Sequence, residues 1–511
     1  MKNQNYLAKI LAITLLFTAS SSLKSQEINW QLKDLKKDGI FGISLDGAYQ
    51  QLKGKKSKPV TVAILDSGVD TDHEDLKEVL WVNKKEKKGN GKDDDKNGYI
   101  DDIHGWGFIG GKSGNVNKDN LEITRLIRRG DGKTNLELQV KFDKEKGRLE
   151  ANYNGTLAFK NTLDTVIKAI GKSDINVADI NSFEAKSPLQ KRVKDVLSQS
   201  LVNTNIKDFT EGRVNGPLNY FKEQLDFNYN LNFDPRNIVG DDYSNSREKG
   251  YGNANVTGEH AGHGTYVAGI VAAKRGNNLG LEGIADNVKI MAIRAVPDGD
   301  ERDKDIANGI RYAVDNGAKV INMSFGKAYS WDKTAVDEAV EYAASKDVLL
   351  IQAAGNSGEN IDEVPNFPTR KFEDGNIAQN WIVVGASGPS DDESLTANFS
   401  NFGKTSVDIF APGVQIYSST PGSKYEKFNG TSMAAPVVAG VAALIRSYFP
   451  KLTAVEVKDI LLKSATKVDH KVSPAHGDKK ESIDFSSLCV TGGIVNADAA
   501  VKLALEYSNN K

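Results

Sequence analysis

Short apolar runs rich in β-branched residues recur along the chain, and they constrain the fold more than any other feature. Val60 to Leu65 reads VTVAIL and is closed by Asp66, Ser67 and Gly68; Val288 to Ala292, Val320 to Met323, Val348 to Ala353 and Trp381 to Val384 repeat the type. Continuous apolar runs of this length, bounded by turn residues, read as strands buried on both faces. Between them lie segments such as Ile306 to Asn316 and Thr334 to Ser345, with apolar residues at helical spacing. Buried strands alternating with helices predict an α/β fold, a doubly wound and mainly parallel sheet covered on both sides.

Residues 112–232 interrupt this rhythm. They are richer in Lys, Asn and Asp, and Leu157, Val166, Ile167 and Ile170 recur near the helical period, as do Leu189, Val193, Val196 and Leu197. The stretch reads as an inserted helical subdomain, either a surface decoration or a lid. At the start, Lys2 and Lys9 precede the apolar run Ile10 to Phe17 and the small residues Ala19 to Ser22, the pattern of a secretory signal peptide. The run is about half of the roughly 20 residues a membrane-spanning helix needs. The expected organisation is a signal peptide at 1–25, a short N-terminal segment at 26–58, a first core part at 59–111, the insertion at 112–232 and a second core part at 233–511. The mature protein is expected to be exported, to the periplasm or beyond, with no membrane span after signal removal.

Sixty-six basic residues balance sixty-eight acidic ones, a net charge of −2, so charge makes no case for a nucleic-acid partner. The single cysteine, Cys489, excludes an internal disulfide and a zinc–thiolate site. Its neighbours Leu488 and Val490 predict a buried, unreactive thiol.

Four segments place a chemically useful side chain where one element gives way to another. Asp66 leaves VTVAIL, where a carboxylate can hold an imidazole in one tautomer. His263 sits in HGTYVAGIVAA between two glycines that let another backbone approach the ring. Ser432 opens the small-residue helix of GTSMAAPVVAGVAALI, where unpaired helix amides can receive an oxyanion. Pro436 is read as falling within that helix's first turn, where its missing N–H costs nothing. Asn356, in AAGNSG, carries an amide that can donate to a tetrahedral intermediate. Each has an ordinary alternative when taken singly: a turn aspartate, a capping histidine, an N-cap serine and a turn asparagine.

Taken together and in this order, Asp66, His263 and Ser432 with their flanking strings resemble the subtilisin-like serine peptidases, over Trp30 to about Ala504 apart from the insertion. The resemblance implies an endopeptidase in which Asp66 orients, His263 is base and then acid, Ser432 is the nucleophile, and Asn356 with the Ser432 amide binds the oxyanion. It further implies protein or peptide substrates lying beside Ser324, Phe325 and Gly326, with Ala353, Ala354 and Gly355 lining the pocket for the residue before the cut. A monomer with no organic cofactor is expected. The alternative is a catalytically silent relative that binds peptides or a partner through the insertion.

The chain departs from the compact members of that family in the 197 residues between Asp66 and His263, which include the insertion. It also carries the acidic loop Asp93 to Asp102, with Asp93, Asp95 and Asn97 at alternate positions and Gly98 at the sixth. That is the front half of an EF-hand-like loop, although its twelfth position is His104 and not Glu. By its residues alone the loop reads either as a solvated acidic turn or as a cation site; the family resemblance implies a structural calcium there, on Asp93, Asp95, Asn97, Tyr99 and Asp101.

Overall fold

Alternate residues of the first apolar run face opposite ways. Val60, Val62 and Ile64 enter one buried cluster, and Ala63 and Leu65 enter a second. A strand whose two faces are both apolar must lie inside a sheet with helices on each side. The computed structural model, which describes residues 27–473 and 482–509, has that arrangement. The predicted signal peptide lies outside these residues.

The main sheet has nine strands: β1 (Val60–Asp66), β2 (Gly105–Gly107), β3 (Val288–Arg294), β4 (Val320–Met323), β5 (Leu349–Ala353), β6 (Trp381–Ser387), β7 (Ile409–Pro412), β8 (Thr466–Lys467) and β9 (Gly493–Ile494). Their spatial order is β8-β9-β7-β6-β5-β4-β1-β3-β2. Every neighbouring pair is parallel except β8 with β9. In register, Asp66 sits opposite Arg294, and Leu65 opposite Met323.

The insertion brings α1 (Glu122–Arg129), α2 (Leu136–Ile170) and α3 (Pro188–Ser200); the second core part adds α4 (Gly262–Ala272), α5 (Asp303–Asp315), α6 (Lys333–Ser345), α7 (Thr431–Tyr448), α8 (Ala454–Lys463) and α9 (Ala497–Asn509). Residues of α4, α7, α8 and α9 share one buried cluster with one face of the sheet, and α5 and α6 share the other cluster with its opposite face. The sheet is therefore doubly wound. Helix α7 is long and apolar enough to cross a membrane, but 89% of it is buried, as befits a helix packed on the sheet. Trp30, Leu45, Ala48 and Leu52 of the N-terminal segment also join the first cluster, so this segment is part of the core packing. Cys489 is fully buried, as its flanks predict, and burial pushes its thiol pKa up.

The insertion has an apolar core of its own, including Leu163, Val166, Ile180, Val193 and Leu197. Its base is held differently. Ile123, Leu126, Leu138 and Phe142 pack against Tyr329 and Trp331, beside a set of buried charges. Lys327 Nζ reaches Glu122 at 2.5 Å and Asp303 at 2.7 Å, and Arg302 pairs with Asp119 at 2.6 Å. Arg125 grips Glu122 through two nitrogens, at 3.0 and 2.8 Å. The insertion is thus built into the second core part.

Candidate active site

Asp66 ends β1 at the carboxyl edge of the sheet, where open α/β sheets form their sites. It is 1% exposed, and its Oδ1 accepts the Ser67 N–H and lies 2.7 Å from His263 Nδ1. A carboxylate only accepts, so this contact puts the imidazole proton on Nδ1 and leaves Nε2 as an acceptor. Burial disfavours the charged imidazole, but the negative charge and hydrogen bond of Asp66 outweigh it and raise the His263 pKa above its ordinary value.

His263 is the second residue of α4, and the helix approaches β1 closely because two glycines allow it. A Cβ on Gly264 would lie 2.1 Å from the Gly68 carbonyl oxygen, and Gly68 itself has φ +124°. A side chain at Gly264 would push the helix off β1, and one at Gly68 would be strained by its φ and run into the Thr257 carbonyl oxygen at 2.3 Å.

Ser432 is the second residue of α7. Its N–H is one of the donors that a helix start leaves unpaired, and it has no acceptor among the described residues. Asn356, three residues past β5, is locked beside it. Asn356 Oδ1 accepts the Thr431 N–H and hydroxyl, both at 2.9 Å, and the Thr431 hydroxyl accepts the Gly355 N–H at 3.1 Å. The backbone donor settles which end of the amide is oxygen, and Nδ2 is left with no acceptor among the described residues. Two donors therefore stand unspent near the start of α7.

The serine hydroxyl itself donates to the Ser324 carbonyl at 3.0 Å and makes no hydrogen bond with the His263 ring. The structure thus forms the Asp66–His263 contact of the expected triad and leaves the Ser432–His263 contact unmade. Pro436 is corrected. Helix α7 begins at Thr431, so Pro436 is its sixth residue and lies in the second turn. The carbonyl left without a helical donor is that of Ser432, and the Ser324 hydroxyl donates to it at 2.9 Å.

Ser324, Phe325 and Gly326 directly follow β4. Among the described residues, the only hydrogen bond to their backbone is the one from Ser432. A strand-like edge with free N–H and C=O groups can pair with an extended chain. Ala353 closes β5, and Ala354 and Gly355 continue from it at the same edge of the sheet. Asn401 holds this turn: its Nδ2 donates to the Ala354 carbonyl at 2.9 Å and its N–H to the Gly355 carbonyl at 2.9 Å, while its Oδ1 accepts from Ser357 and Glu359. Sequence reading passed over both Asn401 and Thr431. The only signal was position: Asn401 lies in TANFSNFG and Thr431 directly before the serine.

The acidic loop folds around a different set of oxygens from the alternate positions alone. Glu86, Asp93 and Asp95 each offer a carboxylate oxygen, and all three lie within 4.8 Å of one another. Glu86 is held there by accepting the N–H groups of Asp94, Asp95 and Asp101. The Asp101 carboxylate turns to the N–H groups of Gly89, Asn90 and Gly91. Tyr99 packs edge-on against Trp106 and Tyr312 in the core, and Asn97 Nδ2 donates to Asp102. Of the five residues named from the sequence, Asp93 and Asp95 converge with a carboxylate that no regular spacing announced. Three clustered carboxylates are hard oxygen donors, a set suited to calcium.

Residues 57–478 match the family model described as the Subtilase family. Among curated proteins, the chain is similar to a thermophilic serine proteinase of Bacillus sp. (strain AK1), 44% identical over 186 residues that cover 36% of this chain and 42% of that one. It is also similar to alkaline elastase YaB of Bacillus sp. (strain YaB), 36% identical over 243 residues, 47% of this chain and 55% of that one. Subtilisin DY of Bacillus licheniformis is 40% identical over 206 residues, 40% of this chain and 70% of that one. The chain thus spans about half the length of the first two relatives.

Proposed function

The chain belongs to the subtilase family, and from that premise we propose that it is an exported serine endopeptidase acting on protein or peptide substrates. The observation that carries the reading is the Asp66–His263 contact at the carboxyl edge of the sheet, with Ser432 opening a helix that leaves two oxyanion donors free. Three parts of one reaction then have a place. With Nδ1–H held by Asp66, His263 Nε2 takes the Ser432 proton as the hydroxyl oxygen attacks the peptide carbonyl. The Ser432 N–H and Asn356 Nδ2 receive the negative charge that forms on the carbonyl oxygen. His263 passes the proton to the leaving amine, and water completes the cycle by hydrolysing the acyl-enzyme through the same base. The reaction requires the Ser432 hydroxyl to exchange its hydrogen bond with the Ser324 carbonyl for one with His263 Nε2, and such catalytic contacts often align only when substrate binds. The substrate lies along Ser324, Phe325 and Gly326, with Ala353, Ala354 and Gly355 lining the pocket for the residue before the cut. Residues 1–25 direct export.

Labelling with a serine-directed fluorophosphonate tests this. Wild type should label and Ser432→Ala should not. Equal labelling of both, or none of a folded wild type, would remove the peptidase reading. The rival reading, a catalytically silent relative that binds peptides or a partner through the insertion, draws on the Ser432 hydroxyl's bond to Ser324. An unlabelled folded wild type is the result it expects.

The pH dependence follows from the direction of the His263 shift. Only neutral imidazole can accept the serine proton, so kcat/KM should fall on acidification with an apparent pKa above the ordinary histidine value of about 6.5. A pH–rate profile on a small peptide substrate checks it, and a midpoint below that value, or a flat profile from about pH 5 to 9, would contradict it.

Glu86, Asp93 and Asp95 would hold a calcium ion whose contribution is structural, cross-linking a loop rich in like charges. A ligand that binds only the folded state stabilises it by about 2.7 kcal/mol at a hundred times its Kd. EDTA should therefore lower the melting temperature and calcium should restore it, with Asp95→Asn abolishing the difference. A melting temperature indifferent to both would count against the site.

A further inference from the structure

We propose that Ser324 is a positioning residue for the nucleophile, its hydroxyl replacing the backbone hydrogen bond that Pro436 deletes from α7. In an α-helix the N–H of each residue bonds the carbonyl four residues earlier. Pro436 has no N–H, so the carbonyl of Ser432 loses its helical donor at the residue that must be placed most accurately.

The replacement comes from across the site. Ser324, 3% exposed, donates its hydroxyl proton to the Ser432 carbonyl at 2.9 Å. A hydroxyl has one proton and can also accept, and here it accepts from Asn322 Nδ2 at 2.9 Å. Asn322 is fully buried in β4, so the direction of the Ser324 proton is set from inside the sheet. The Ser324 carbonyl in turn accepts the Ser432 hydroxyl at 3.0 Å. Residue 324 thus engages residue 432 through both backbone and side chain. On the other side, the Thr431 N–H is held by Asn356 Oδ1 at 2.9 Å. The start of α7 is held from β4 and from the turn after β5, and the oxyanion donors keep their place only while both hold.

This role differs from lining the groove. A peptide lying beside Ser324 pairs with its backbone, which an alanine keeps. The hydroxyl faces α7, so its loss should act on the chemical step and leave substrate affinity alone. The inference rests on the reading of Ser432 as nucleophile.

The test uses Ser324→Ala, Pro436→Ala and the double variant in the full chain, with fluorophosphonate labelling rates, kcat and KM on a peptide anilide, and melting temperature. An unpaired backbone acceptor at this position should lower kcat and the labelling rate of Ser324→Ala about tenfold, with KM within about twofold of wild type. Pro436→Ala supplies a helical N–H to the same carbonyl. In the Ser324→Ala background it should bring kcat back to within about threefold of wild type, a coupling that two independent sites would not show. An unchanged kcat in Ser324→Ala, a loss expressed in KM, or no recovery in the double variant would each overturn the inference. Where Ser324→Ala is too unstable for kinetics, recovery of its melting temperature by Pro436→Ala is the supporting result, and no recovery the refuting one. An unlabelled wild type would sink the peptidase reading separately, while the melting temperatures still decide whether Ser324 stands in for the missing helical donor.

Discussion

His263→Ala is expected to lower kcat for peptide hydrolysis by about four orders of magnitude or more, and adding Ser432→Ala should cost almost nothing further. The reason is that in the proposed mechanism the two side chains act as one unit. Without a base the hydroxyl stays protonated and unreactive, and without the hydroxyl the base has no proton to take. What survives in either variant is the contribution of the oxyanion donors and substrate binding, roughly three to four orders of magnitude over water. The structure sharpens this test, because the Ser432 hydroxyl is bonded to Ser324 and not to His263. If that bond persisted through the reaction, the two losses would be independent and would multiply. Steady-state kinetics on the single and double variants distinguish these cases: a double variant far below either single one would show that the hydroxyl does not turn to the imidazole.

Lys327→Met is expected to destabilise the protein by about 3 kcal/mol and to loosen the insertion first. Lys327 is wholly buried, with its ammonium against Glu122, Asp303 and the Glu301 carbonyl. Burial alone would raise the Glu122 pKa, but Lys327 and Arg125 together hold it down, at about 2. A carboxyl held that low contributes stability above its unfolded pKa, and that stability is lost as pH falls toward about 2. Methionine fills most of the volume and removes the charge, so Glu122 keeps only Arg125 and Asp303 loses an ion partner. Hydrogen exchange should rise in α1 before it rises in the sheet, and the melting temperature should drop. A variant as stable as wild type, with α1 equally protected, would show that the apolar packing of Ile123 and Leu126 is what seats the insertion.

The two predictions differ in how much of their basis was legible beforehand. Asp66, His263, Ser432 and Asn356 each sit in a string of small or apolar residues that stands out locally, and the structure sets the first three at a strand end or helix start and Asn356 in the turn after β5. The buried strands were legible for the same reason, since apolar residues on both faces of a strand admit few surroundings. The Lys327 site was not. Glu122 and Lys327 lie 205 residues apart, and a lone lysine after a strand reads as solvated until a helix from elsewhere covers it. Glu86 escaped notice likewise, because it joins Asp93 and Asp95 through a turn of the chain and not through a repeat. Pro436 was misplaced because the first residue of a helix is set by capping contacts, here Thr431 with Asn356, which no single segment contains.

By itself, then, the order of residues determined the kind of fold and the residues proposed to react, because burial on both faces of a strand and a conspicuous string around each candidate side chain are properties a short segment carries alone. Tertiary structure decided how the serine hydroxyl is oriented, which carboxylates gather in the acidic loop, and how the insertion is joined to the sheet. Those depend on hydrogen bonds and charge pairs between distant segments, whose strength is set by the water excluded when the segments meet.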